Sequence, residues 1–178
     1  MRPDLVIRPE TPADHDDVAA LLDAAFPVPP GARRSAEAAL VDGLRADGDV
    51  LAELTFVAEL DAGVAGVVVC SRATMGEGPS VGLGPLAVRP DLQGQGIGSA
   101  LVAAVVVTAD QRREPSLVLL GDPEYYAIFG FETAAGRGVG APGPWPDRFF
   151  QVRPLQAWRP YLAGPFRYAP AFDRMEQP

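Results

Sequence analysis

The run Leu86-Ala87-Val88-Arg89-Pro90-Asp91-Leu92-Gln93-Gly94-Gln95-Gly96-Ile97-Gly98-Ser99 constrains this chain more than any other segment. It reads as a strand end, a tight glycine-rich loop and the start of an Ala/Val/Leu-rich helix. The first amides of a helix have no intrahelical acceptors and sit at the positive end of its dipole. Glycines without side chains let an anion approach that backbone closely, so the arrangement is an anion site, most simply a phosphate site.

Three phosphate motifs use such a loop, and two of them do not match. A Walker loop needs a lysine before Ser or Thr, and all 15 basic residues of this chain are arginine. A dinucleotide fingerprint ends in Gly or Ala, whereas the register that starts at Gly94 reaches Ser99. That fingerprint also follows the first strand of a parallel sheet, but several strand and hairpin signals precede this loop.

Before the loop, Leu5 to Arg8 is a short β-rich run. Val18, Leu21, Leu22, Ala25 and Phe26 recur at helical spacing until Pro27-Val28-Pro29-Pro30 stops the helix. A second helix is expected from Ser35, as N-cap, to about Arg45. Leu54 to Leu60 and Val64 to Ser71 read as a hairpin joined by Asp61-Ala62-Gly63, and Val81 to Val88 as the strand that feeds the loop. Pro85 cannot donate to a ladder, so strand pairing is expected to break near it. After the loop come a buried helix from Ser99 to about Arg113, an interior strand from Ser116 to Leu120, and a short helix capped by Asp122 and ended by Gly130. Phe131 to Thr133 and Phe149 to Val152 are the last strand signals. The Pro/aromatic-rich remainder is expected to lie extended over the core.

The 178 residues suit one domain, with a core over about 4–153 and a packed extension over 154–178. A hydrophobic fraction of 48% with 21% charged residues is that of a soluble globular chain. No apolar run reaches the roughly 18 residues of a membrane span, and a cytoplasmic location is the expectation. The lone Cys70 and lone His15 exclude a Cys/His zinc site, so no metal is expected. A net charge of −8 argues against nucleic acid and anionic membranes as partners.

The pattern Gln93-x-x-Gly96-x-Gly98 after the Leu86-Ala87-Val88-Arg89-Pro90 strand end resembles the coenzyme A pyrophosphate loop of the GNAT acetyltransferases. The likeness covers nearly the whole chain. Tyr126-Ala127-Ile128-Phe129-Gly130-Phe131 looks like the family's Tyr-x-x-x-Gly-Phe segment, and the tail from Gly164 to Phe172 is similar to that of a bacterial subgroup of predicted acetyltransferases.

This resemblance implies an α/β chain of the α+β type, with a mixed, mostly antiparallel central sheet flanked by about four helices. It also implies splayed strands where acetyl-CoA binds. Gln93, Gly94, Gln95, Gly96, Ile97, Gly98 and Ser99 would hold the pyrophosphate. Leu86, Ala87 and Val88 would pair with pantetheine, the gap beside Pro85 holding the thioester arm. The reaction implied is acetyl transfer to an amine of a small molecule or peptide by direct attack, in a monomer or a homodimer. The alternative is a non-catalytic acyl-CoA-binding or interaction module on the same fold.

Tyr126 has the family's spacing for the group that protonates the departing thiolate, and a phenol with a pKa near 10 is a suitable acid. Packing is the competing reading for Tyr126 and the first reading for Tyr125, whose alternative is contact with the coenzyme from the other side. Helix capping accounts for Asp122. Glu59, Asp61 and Glu77 are the carboxylates weighed as general base, none of them chosen, and a water chain remains open. Cys70 reads as a buried small hydrophobe, and His15, Arg8, Arg33 and Arg34 as surface residues.

Overall fold

The computed structural model describes residues 4–60 and 63–175, so Asp61 and Ala62 of the hairpin turn lie outside the described residues. Four helices, α1 (His15–Ala25), α2 (Ala36–Asp47), α3 (Ile97–Gln111) and α4 (Pro123–Tyr126), pack around one sheet among the described residues. Its strands are β1 (Val6–Pro9), β2 (Phe56–Leu60), β3 (Gly63–Met75), β4 (Gly78–Val88), β5 (Ser116–Leu120), β6 (Glu132–Thr133), β7 (Phe150–Pro154) and β8 (Phe166–Arg167). The order is β1-β2-β3-β4-β5-β7-β6, antiparallel everywhere except between β4 and β5. The expected mixed, mostly antiparallel sheet with four helices is therefore the architecture found.

The local chemistry places each helix. Ser35 caps α2 by accepting from the Ala38 amide at 3.2 Å, and Gly48, at φ +77°, closes its other end in the left-handed region. At the entry to α1, Asp14 accepts from the Thr11 backbone and hydroxyl, each at 2.8 Å, and from the Arg8 guanidinium through both oxygens at 2.8 Å. Arg8 also donates to Glu59 at 2.6 Å, so it locks β1, β2 and the α1 entry together.

The Arg8 guanidinium holds the Asp14 carboxyl well below the usual carboxylate range. A depressed carboxylate contributes stability that is present above its unfolded pKa near 4 and lost as pH falls through the native value. Asp14→Asn is therefore expected to cost about 1–2 kcal/mol at pH 7 by urea denaturation. The gap from the parent should narrow steadily as the titration is carried below about pH 4.

The two faces of the sheet are buried separately. Phe56, Val68, Cys70, Leu101 and Val105 pack between α3 and the sheet, while Val18, Leu22, Leu44, Val57, Val67 and Val69 pack under α1 and α2. Cys70 is fully buried and desolvation pushes its thiol pKa up, which fits a packing role. At one end Met75, Val118, Phe150, Val152 and Phe166 form a third cluster.

The chain beyond β7 is built into the sheet more firmly than an extended overlay requires. β3 is 13 residues long and β2 only 5. The end of β3 thus outruns its neighbour, leaving backbone groups to be satisfied. β8 satisfies them by pairing Arg167 with Thr74 and Phe166 with Met75. Beyond β8 the segment crosses to α2, where Ala171 packs near Gly43 and Arg174 donates to Asp47 at 2.5 Å.

Candidate active site

Pairing between β4 and β5 is confined to Val81 with Leu117 and Gly82 with Val118. Past that point a bulge sets in: Val68 of β3 faces Leu86 and Cys70 faces Leu83, so Gly84 and Pro85 together oppose a single residue. Gly84 has φ +145°, a backbone reserved for glycine, and Pro85 has no amide to donate. β4 therefore leaves β5 and stays paired to β3 only. The break expected at Pro85 is present, and it opens a wedge whose walls are Leu86 to Val88 on one side and the end of β5 on the other.

The glycine loop closes the wedge at the C-terminal end of β4. Gly94 (φ +73°) and Gly96 (φ +84°) both take left-handed backbone, with open space where a side chain would begin. Gly96 is the N-cap of α3 and its carbonyl accepts from Ala100 at 3.0 Å. The amides of Ile97, Gly98 and Ser99 then belong to the first turn, where a helix has no acceptors of its own. The helix starts at Ile97, two residues before the sequence-predicted Ser99, because the αL glycine lets it turn directly out of the loop.

A cavity of about 450 Å³ lies over this turn. Leu86, Val88, Leu92, Gln93, Gly94, Gly96, Ile97, Gly98, Ser99 and Tyr125 line it. Nearly all the residues singled out in the loop thus meet in one place. Ala87 and Gln95 do not line the cavity. The Ala87 side chain alternates to the α1/α2 face, and the Gln95 amide donates back to the Asp91 carbonyl at 3.4 Å. Gln93 likewise ties the loop to its own strand, donating to the Val88 carbonyl at 3.2 Å.

Tyr125 is the functional candidate that sequence reasoning undervalued. A methyl group on Gly98 would lie 2.8 Å from its hydroxyl, so that phenol sits directly over the first turn of α3. Only position in space reveals this, since the local spacing to Gly130 singles out Tyr126 instead.

Tyr126 sits apart from the loop cavity, on the β5 side. Its ring lies against Gly121, where a Cβ would come within 2.4 Å of it, and packs edge-on to Tyr125 and Phe131. Gly121 is itself held from two directions: its amide donates to the Phe149 carbonyl and its carbonyl accepts from buried Gln151, both at 2.9 Å. Burial pushes the phenol pKa of Tyr126 up, so it stays protonated well past neutrality. Among the described residues its hydroxyl has no hydrogen-bond partner. Asp122 caps α4, accepting from the Glu124 amide at 2.9 Å, and Gly130 ends the segment at φ +78°.

The carboxylates considered as bases are elsewhere. Glu59 pairs with Arg8, Glu77 is exposed in the β3–β4 turn at the opposite end of β4, and Asp61 lies outside the described residues. Arg34 pairs with Asp42, and His15 is partly exposed 4.0 Å from Glu10. Among the described residues no cluster of His, Cys, Asp and Glu could hold a metal ion, and no helix is long and apolar enough to cross a membrane.

Against known proteins, the family described as acetyltransferase (GNAT) domain matches residues 52–133. The uncharacterized N-acetyltransferase YhbS of Escherichia coli is 37% identical over 154 residues, covering 85% of this chain and 87% of that protein. The crystal structure of Escherichia coli YhbS in complex with CoA superposes with a TM-score of 0.85 at 35% identity, over 96% of this chain and 93% of that one. A GNAT family acetyltransferase from Brucella melitensis, in complex with acetyl-CoA, superposes with a TM-score of 0.75 at 31% identity, over 95% and 98% of the two chains.

Proposed function

Because the chain belongs to the GNAT N-acetyltransferases, we propose that it binds acetyl-CoA in the wedge between β4 and β5 and transfers the acetyl group directly to an amine. The observation that carries this reading is the coincidence of the splay and the glycine turn: one strand, β4, forms a wall of the wedge and leads straight into the anion site. Similar chains from Escherichia coli and Brucella melitensis were solved with CoA and acetyl-CoA respectively.

The residues fit this substrate. Amides from Gln93 to Ser99 would receive the pyrophosphate, with the α3 dipole and the Tyr125 hydroxyl adding to its hold. The edge of β4 from Leu86 to Val88, free of β5, would pair with the pantetheine amides as a neighbouring strand does. Gln95 contributes through the backbone, since its side chain braces the loop.

In the reaction the neutral amine nitrogen attacks the thioester carbonyl carbon. The C–N bond forms, the C–S bond breaks, and the thiolate takes a proton from the Tyr126 hydroxyl. Tyr126 regains a proton from water as the new amide sheds its own, so one proton passes from nitrogen to sulfur in sum. Its raised pKa keeps the phenol in the protonated, donating form at neutral pH, and its conjugate base takes a proton back from water readily. We also read the chain as a single domain with 154–178 as its extension, a reading supported by the pairing of the tail with β3 and the bond from Arg174 to Asp47 of α2.

The test is direct: purified protein with acetyl-CoA and a panel of primary amines, followed by release of free thiol. Amine-dependent thiol release is the expected result. Tight acetyl-CoA binding without release on any amine would favour a non-catalytic acyl-CoA-binding module.

A further inference from the structure

A second cavity, of about 820 Å³, opens onto the same wedge from the face covered by α2 and the tail. Leu83, Gly84, Pro85 and Leu120 form its floor, so it meets the gap where β4 and β5 part. Its walls are aromatic. Phe166 meets Tyr168 edge-on at 4.7 Å, Tyr168 stacks on Phe172 at 4.3 Å, and Trp145 approaches Tyr168 at 6.5 Å. Such a volume is that of a small-molecule site, far larger than packing defects inside a close-packed core.

The charged residues at this cavity are Glu37, Asp173 and Arg167. Among the described residues neither carboxylate has an ion-pair partner, unlike the nearby Asp42 and Asp47 of α2. The mouth therefore carries two unpaired carboxylates against one guanidinium, on a chain whose net charge is −8. Together these groups favour entry of a cation, while the interior favours an apolar body. Cationic heads are also attracted to aromatic faces.

We propose that this cavity is the acceptor site, and that the acceptor is a small amine carrying an aromatic or branched aliphatic group, selected by the wall that the tail supplies from Phe166 to Phe172. The inference rests on the acetyl-transfer reading of the adjoining wedge. The amine end would reach the floor at Gly84-Pro85 and Leu120, and the apolar group would displace water from Trp145, Phe166, Tyr168 and Phe172. Glu37 and Asp173 draw the protonated form in from solution, and it gives its proton to water before the neutral nitrogen attacks.

The test compares phenethylamine, tryptamine and isoamylamine with ethanolamine, putrescine and a short peptide bearing a free N-terminus, each with acetyl-CoA and followed by thiol release. The apolar amines should exceed ethanolamine in kcat/KM by about 30-fold or more, the discrimination that burying one such group provides. Ala141→Trp fills the cavity from an exposed loop position on its wall. It should lower kcat/KM for phenethylamine by about tenfold or more while the acetyl-CoA Kd from calorimetry stays unchanged. Equal or better turnover of ethanolamine, putrescine or the peptide overturns the inference and leaves the acetyltransferase reading standing. Acetyl-CoA binding without turnover of any apolar amine also overturns it. Failure to bind acetyl-CoA at all removes the reading on which it rests.

Discussion

Gly98→Glu is expected to weaken acetyl-CoA binding by about 10²–10³-fold in calorimetry, since a carboxylate roughly 4 Å from a phosphate charge near a protein surface costs several kcal/mol. The new side chain would start 2.8 Å from the Tyr125 hydroxyl, so it must also push that phenol away from the turn. Gly96→Glu should have a similar effect, with added backbone strain at φ +84°. Gly96→Asn separates the two causes, because asparagine tolerates the left-handed region and brings no charge. It should retain most of the affinity. A folded Gly98→Glu protein that binds acetyl-CoA as tightly as the parent would show that the loop does not hold the pyrophosphate.

Tyr126→Phe should leave acetyl-CoA affinity intact and lower turnover by about 10²-fold or more, the usual contribution of a positioned proton donor. The ring keeps its contacts with Gly121, Tyr125 and Phe131, so stability should change by less than about 1 kcal/mol. Tyr125→Phe is the necessary companion, because its hydroxyl and not that of Tyr126 faces the glycine turn. That variant should raise the Kd for acetyl-CoA and leave the single-turnover rate near the parent's. If instead Tyr125→Phe slows the chemical step and Tyr126→Phe does not, the acid is Tyr125. Single-turnover kinetics are required for both, since product release can hide a slowed chemical step.

The main strand runs, the break in β4 and the glycine loop were legible in the sequence for a simple reason: all are written in local patterns. Period-two runs mark strands, Pro85 withholds an amide from the ladder, and the glycines at 94 and 96 take left-handed backbone that few other residues permit. The same holds for Ser35 and Asp122 as caps, and for buried Cys70. Boundaries shifted where a glycine or a 3₁₀ turn let an element begin early, as α3 does at Ile97.

What tertiary structure alone decided is which side chains meet across long sequence separations. Whether Tyr125 or Tyr126 faces the anion turn depends on how α4 docks on β5, and Gln151 sets that docking by holding Gly121 from thirty residues away. The pairing of Arg8 with Asp14 and Glu59 ties Glu59, one of the carboxylates weighed as general base, into the fold instead. The tail is the sharpest case. Its aromatics signalled burial but not a partner. β8 found its place because β3 outruns β2, and that pairing, with the Gly140–Pro165 bridge beside it, sets the cavity wall from Phe166 to Phe172. Local propensity determines backbone shape within a few residues, whereas a site is assembled from contacts whose loop-closure entropy is recovered only when the whole sheet forms.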